Sequence, residues 1–114
     1  MTYLDAENVF TPDINVIRLL KALDNSTRLQ IVEHVINSSP TSFSAIHENL
    51  QKQTGREINK GTTSYHLDIL LQANVLSKEL ERSGEDRTYS RYDVTSYALE
   101  KLEALGLLVT DEAP

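Results

Sequence analysis

Apolar residues recur at helical spacing through the first two-thirds of this chain and then give way to a short alternating, charged stretch. Val16, Leu20 and Leu23 stand at i, i+4 and i+7 behind Thr11-Pro12, a capping residue followed by proline at a first helical position, which predicts a helix over about 12–23. Asp24-Asn25-Ser26 can cap a second helix, in which Leu29, Val32 and Ile36 face one way with Ile31 and Val35 beside them, and which ends before Ser38-Ser39-Pro40. A third begins near Ser42, carries Phe43, Ile46 and Leu50 on one stripe and stops at Thr54-Gly55. Asn59 can then cap a fourth.

On that fourth helix Thr63, Leu67, Leu70 and Leu71 cluster on one side at 100° per residue, leaving Thr62, Tyr65, Asp68, Ile69 and Gln72 on the other. Asn74, which tolerates left-handed backbone, closes it. Residues 77–82 and 88–94 read as two strands around a turn at 83–87. Tyr89 and Tyr92 fall on opposite faces of the second strand, so at least one should pack inward. A last helix over about 96–105 carries Leu99, Leu102 and Leu105 and stops at Gly106. The expected fold class is mainly α with a small β-hairpin (α+β), a single domain over 1–114 with helices in 12–74, a hairpin in 75–94 and a C-terminal helix in 96–106.

Composition changes this picture in four places. The 114 residues with 39% apolar and 25% charged content suit one globular domain whose core is modest enough to finish its burial by dimerising. The absence of cysteine removes disulfides, thiolate metal sites and cysteine nucleophiles together. No apolar run approaches the roughly 20 residues of a membrane span, and the N-terminal residues lack the pattern of a signal peptide, so no membrane association and a cytoplasmic location are expected. The net charge of −6 opposes nucleic-acid binding, but it is unevenly spread. Residues 25–74 balance four cations with four carboxylates, and much of the acidity lies at the two ends.

Four pieces in order, Leu20-Lys21-Ala22-Leu23-Asp24-Asn25-Ser26-Thr27-Arg28-Leu29-Gln30-Ile31-Val32, Pro40-Thr41-Ser42-Phe43-Ser44, Ser64-Tyr65-His66-Leu67 with Leu70, and the hairpin end Tyr92-Asp93-Val94-Thr95, give the chain its likeness to a known family. From about Ile17 to Leu105 it resembles the ArsR-type (arsenic-repressor-like) winged helix-turn-helix transcription regulators, especially variants common in archaea. The resemblance implies a cytoplasmic homodimer that binds duplex DNA, with the third and fourth helices as its helix-turn-helix, the hairpin as its wing and the terminal helices as its dimer surface. Two departures stand out. Eight residues, Thr54 to Gly61, separate Gln53 from Thr62, more than the 3 to 4 of a standard helix-turn-helix turn. Asp68 occupies an outer-face position where family members often carry a basic residue.

The residues expected to meet DNA are Thr62, Thr63, Ser64, Tyr65 and His66 on the fourth helix, Lys60 just before them, and Arg82 and Arg87 flanking the wing turn. Hydroxyls at a helix start can donate to phosphates or base edges, and wing arginines suit backbone or minor-groove contact. The competing reading makes Thr62 and Ser64 solvent-facing, Thr63 core, and the wing self-neutralised through Glu79, Glu81, Glu85 and Asp86. The dimer surface is expected from Ile14, Ile17, Leu99, Leu102, Leu105 and Leu108, more apolar surface on terminal segments than the inner elements should cover. His34 and His47 lie on different helices without a second histidine at i+3 or i+4, so no metal site and no cofactor are expected, and no catalytic constellation is visible. The expected partners are double-stranded DNA and a second copy of the chain; a small-molecule effector is left open. A winged-helix module that binds other proteins is the alternative, favoured by the acidity and Asp68.

Overall fold

The computed structural model describes residues 10–84 and 87–109. Its elements run α1 (Ile14–Leu23), α2 (Ser26–Ser38), β1 (Thr41–Ser42), α3 (Phe43–Thr54), α4 (Lys60–Gln72), β2 (Leu76–Ser83), β3 (Arg87–Val94) and α5 (Ser96–Ala104). Glu85 and Asp86 of the expected turn, and the ends of the expected domain, lie outside the described residues.

Local chemistry sets the helix starts. Asn25, Ser42 and Asn59 each accept a backbone N–H of the helix that follows, from Arg28, Ala45 and Gly61 respectively. α1 starts two residues later than its sequence signal: Asp13, not Thr11, is the cap, accepting from Asn15 and Val16. Helix α3 ends on Gly55 in the left-handed conformation, φ 72°, which costs glycine nothing. Because α3 runs through Thr54 and α4 opens at Lys60, the connection shortens to residues 55–59, still longer than a standard helix-turn-helix turn. It is held by Gln51, whose side-chain oxygen accepts the Ile58 N–H at 2.8 Å.

Antiparallel strands form a three-stranded sheet in the order β1-β3-β2. Leu76 pairs with Val94 at one end of the hairpin and Ser83 with Arg87 at the other, while Thr41 and Ser42 pair with Tyr92 and Arg91. The short β1 was not expected from the sequence. It anchors the hairpin to the start of α3. The core draws on every helix and on the base of the hairpin: Leu19, Ile31, Val35, Ile46, Leu50, Leu67, Leu70, Val75, Leu76, Tyr92, Ala98 and Leu102 are all buried. Tyr92 is thus the inward tyrosine and Tyr89 the exposed one. Leu29, read with the inner stripe of α2, is instead largely exposed.

Among the described residues no helix is long and apolar enough to cross a membrane, and no three histidine, aspartate or glutamate side chains are grouped to hold a metal ion.

Candidate nucleic-acid interface

Helix α4 has three sides. Thr63, Leu67 and Leu70 are buried in the core, and His66, Ile69 and Ala73 turn towards α1 and α2. Gly61, Thr62, Ser64, Tyr65, Asp68 and Gln72 remain exposed, with Tyr65 60% accessible.

Two buried or half-buried polar contacts fix the orientation of that ridge. The first joins the two helices of the helix-turn-helix: His47 Nδ1 on α3 and the Thr63 hydroxyl on α4 are hydrogen-bonded at 2.8 Å, and Phe43 stacks on the His47 ring at 5.8 Å between centroids. Thr63, expected among the DNA contacts, is fully buried by this arrangement, so its side chain is withdrawn from the surface and serves to set α4 against α3. Its helical phase already put it on the core side.

The second contact runs across three helices. Arg28 Nε donates to the Ala22 carbonyl near the end of α1 at 2.6 Å, and Arg28 NH1 donates to His66 Nδ1 at 3.1 Å. A guanidinium has no acceptor, so Nδ1 of His66 must be unprotonated and a neutral ring carries its hydrogen on Nε2. Burial, and then the positive charge of Arg28, lower the His66 pKa from its ordinary value. The Tyr65 ring meets the His66 ring edge-on at 5.2 Å. His66, expected among the DNA contacts, is therefore half-buried and in contact with Arg28 and Tyr65. Sequence reasoning did not single out Arg28 as a site residue, although Thr27-Arg28-Leu29 and Tyr65-His66-Leu67 both lie in pieces that carry the family likeness.

Lys60 is exposed at the start of α4, and Arg82 and Arg87 are exposed on neighbouring rungs at the turn end of the hairpin, Arg82 opposite Thr88 and Arg87 opposite Ser83, without an ion pair among the described residues. Arg91 differs. Its Nε bonds Glu81 at 3.0 Å, and Glu81 also accepts from the Tyr89 hydroxyl at 3.4 Å, so this part of the wing is neutralised internally. Asp68 is exposed on the α4 ridge, yet its charge reaches the sheet: the Tyr92 phenol is pushed up mainly by burial and, to a lesser degree, by Asp68.

Of the expected dimer residues, Ile14 and Leu105 are exposed, Ile17, Leu99 and Leu108 are half-buried, and Leu102 is buried in the core of its own chain, at the bottom of a cleft it lines with Leu29, Leu107 and Leu108. Leu20, Leu29 and Leu107 are exposed apolar residues that the sequence reading left out of this set.

No protein-family model matches the sequence, and no curated protein does. Solved structures do match. One is the homodimeric winged helix-turn-helix DNA-binding domain of a possible ArsR-family transcriptional regulator from Mycobacterium bovis, at 27% identity and a TM-score of 0.59 over 82% of this chain and 75% of that one. HlyU from Vibrio cholerae matches with a TM-score of 0.61 at 22% identity, covering 81% of this chain and 88% of HlyU. An ArsR-like transcriptional regulator from Rhodococcus matches with a TM-score of 0.54 at 21% identity, covering 82% and 80%. The structural neighbours of this chain therefore include ArsR-type winged helix-turn-helix transcription regulators, a non-enzymatic group, and its fold is theirs.

Proposed function

We propose that this protein is a sequence-specific double-stranded DNA-binding transcription regulator that acts as a homodimer. The observation that carries the reading is the α4 ridge: Thr62, Ser64 and Tyr65 stand exposed on a helix whose opposite side is fixed by the His47–Thr63 and Arg28–His66 contacts. A helix held on its inner side and polar on its outer side is what major-groove reading requires. Lys60, Arg82 and Arg87 supply contacts to the DNA backbone, and Tyr65 with the Thr62 and Ser64 hydroxyls supplies contacts to base edges.

Dimerisation through the exposed Ile14, Leu20, Leu29, Leu105 and Leu107, with half-buried Ile17, Leu99 and Leu108 beside them, covers apolar surface that a single chain leaves to water. Light scattering at micromolar concentration should give twice the 12.9 kDa chain mass. Selection of duplexes from random genomic fragments at fixed moderate salt should return a roughly palindromic site with half-sites about one helical turn apart. Recovery of no common sequence, with affinity indifferent to salt, would reject the reading.

Asp68 on the ridge and the net charge of −6 favour a second reading, a module that docks on another protein. Salt separates the two, since phosphate contacts weaken steeply as salt rises and an apolar protein interface does not.

A further inference from the structure

Between α1, the start of α2 and the second half of α4 lies an open cleft of about 540 Å³, lined by Arg18, Lys21, Ala22, Arg28, Ile69, Gln72 and Ala73. Three of those side chains are cationic and none is acidic, in a protein whose net charge is −6. Neither Asp24, beside the α1 terminus, nor Asp68, one residue before Ile69, lines it. None of the three cations has a carboxylate partner among the described residues. Arg28 uses Nε and NH1 on Ala22 and His66, which leaves the N–H groups of its other terminal nitrogen for an acceptor in the cleft.

The floor, from Ala22, Ile69 and Ala73, is apolar. A smaller cleft of about 260 Å³ shares Arg18, Gln72 and Ala73 and reaches Tyr97, whose hydroxyl is buried without a hydrogen-bond partner among the described residues. Cations at the mouth, an apolar floor and an unsatisfied hydroxyl beyond it describe a site for a molecule with an acidic head and an apolar body. Such volumes suit a metabolite rather than a bare ion.

We propose that this cleft binds a small organic anion, a carboxylate on an apolar body, and that its occupancy is felt at Tyr65 through Arg28 and His66. Arg28 is both a wall of the cleft and the donor that fixes the His66 ring, and His66 supports the ring of Tyr65. A carboxylate taken up on the free terminal nitrogen of Arg28 pulls on the same rigid guanidinium that holds the His66 ring. The binding part stands on the cleft alone; the consequence for DNA rests on the proposed reading of α4, and by linkage the anion changes DNA affinity by the factor by which DNA changes anion affinity.

The test uses the full chain and two probes, hexanoate and octanoate, with hexan-1-ol and inorganic phosphate as controls at constant ionic strength. Amide and side-chain NMR signals of Ala22, Ile69, Gln72 and Ala73 should shift saturably with the carboxylates, with a Kd on the order of millimolar or tighter. The His66 and Tyr65 ring signals should move with the same Kd. Neither the alcohol, which lacks the charge, nor phosphate, which lacks the apolar body, should match them. Arg18→Gln with Lys21→Gln, both on the exposed side of α1, should leave the thermal midpoint near that of the parent and weaken carboxylate binding about tenfold or more. Absence of saturation up to about 10 mM, equal binding of hexan-1-ol, or undiminished binding by the double variant would each overturn the site. So would a loss of duplex affinity in the double variant with a salt slope lower by about two, because the two cations would then be phosphate contacts. Saturation without movement of the Tyr65 ring overturns the coupling. Should the chain select no DNA, these carboxylate titrations still decide on the cleft, since none of them contains DNA.

Discussion

Helix α4 and the β2–β3 hairpin both offer polar side chains to solvent, but they are held by different means. The helix is fixed from behind by side chains of two other helices, through Thr63 to His47 on α3 and through His66 to Arg28 on α2, which is itself held by the Ala22 carbonyl of α1. The hairpin is fixed by its own ladder from Leu76–Val94 to Ser83–Arg87, with β1 added only at its base. The difference teaches where precision lies. A ridge oriented by buried polar contacts holds one geometry, as base reading demands, whereas a ladder extending from the core suits contacts that need charge more than position.

The largest effect should come from breaking the buried side of the helix. Thr63→Val keeps the shape but removes the hydroxyl, leaving His47 Nδ1 buried without its partner, and should cost about 1–3 kcal/mol of stability. Urea denaturation measures it; an unchanged midpoint would mean that α3 and α4 are set by apolar packing alone.

The ridge and the wing should then separate in how they act on DNA. Tyr65→Ala should weaken the selected sequence by about 1–3 kcal/mol while affecting random duplex less, as expected for a base-edge contact. Arg82→Gln with Arg87→Gln should weaken both duplexes alike and lower the salt slope by about two. Competition binding at three salt concentrations distinguishes them. A uniform loss from Tyr65→Ala would move base reading away from α4.

What could be read from the sequence was what is local. Asn25, Ser42, Asn59 and Gly55 mark helix ends because a cap acts within three or four residues, and the inner stripe of α4 follows from helical phase. The rest depends on partners far along the chain. Thr11 and Asp13 are both able to cap, and in the structure it is Asp13 that accepts the first N–H groups of α1. β1 is two residues long, too short to show alternation, and exists because β3 passes beside it. Periodicity identifies an apolar face without saying what covers it, so Leu102 was assigned to the surface and Leu29 to the interior when the structure has the reverse. The Arg28–His66 contact spans 38 residues, and no short-range pattern announces it. In the candidate site, the exposed positions Thr62, Ser64 and Tyr65 were legible, and the devices that orient them were not.

A smaller effect should follow pH. The folded-state pKa of His66 lies below its ordinary value of 6.5, because burial and then Arg28 disfavour the charged ring. As pH falls, the unfolded chain takes up this proton before the folded one does. The contribution is therefore fully present above about pH 6.5 and is lost as pH drops from there towards the lowered folded value. His66→Gln, whose amide oxygen can still accept from Arg28, should flatten the acid side of the stability profile relative to the parent. Urea midpoints between about pH 5 and 8 test this. Parallel profiles would show that His66 does not contribute to the acid response.

The smallest effect is expected where the wing neutralises itself. Arg91 and Glu81 meet at 3.0 Å with side chains 29% and 44% exposed, so water and salt screen the attraction, and ordering two long side chains offsets part of the gain. A double-mutant cycle with Arg91→Ala and Glu81→Ala should give a coupling of about 0.2–1 kcal/mol that shrinks as salt is added. Its effect on DNA should be smaller than that of Arg82 and Arg87, because Arg91 already has its carboxylate. Glu81→Gln sharpens the point: freeing Arg91 from its partner should raise nonspecific duplex affinity and steepen the salt slope by up to about one. If the slope stays fixed, Arg91 does not reach the phosphates even when released. The wing's contact with DNA would then rest on the two arginines nearer its turn.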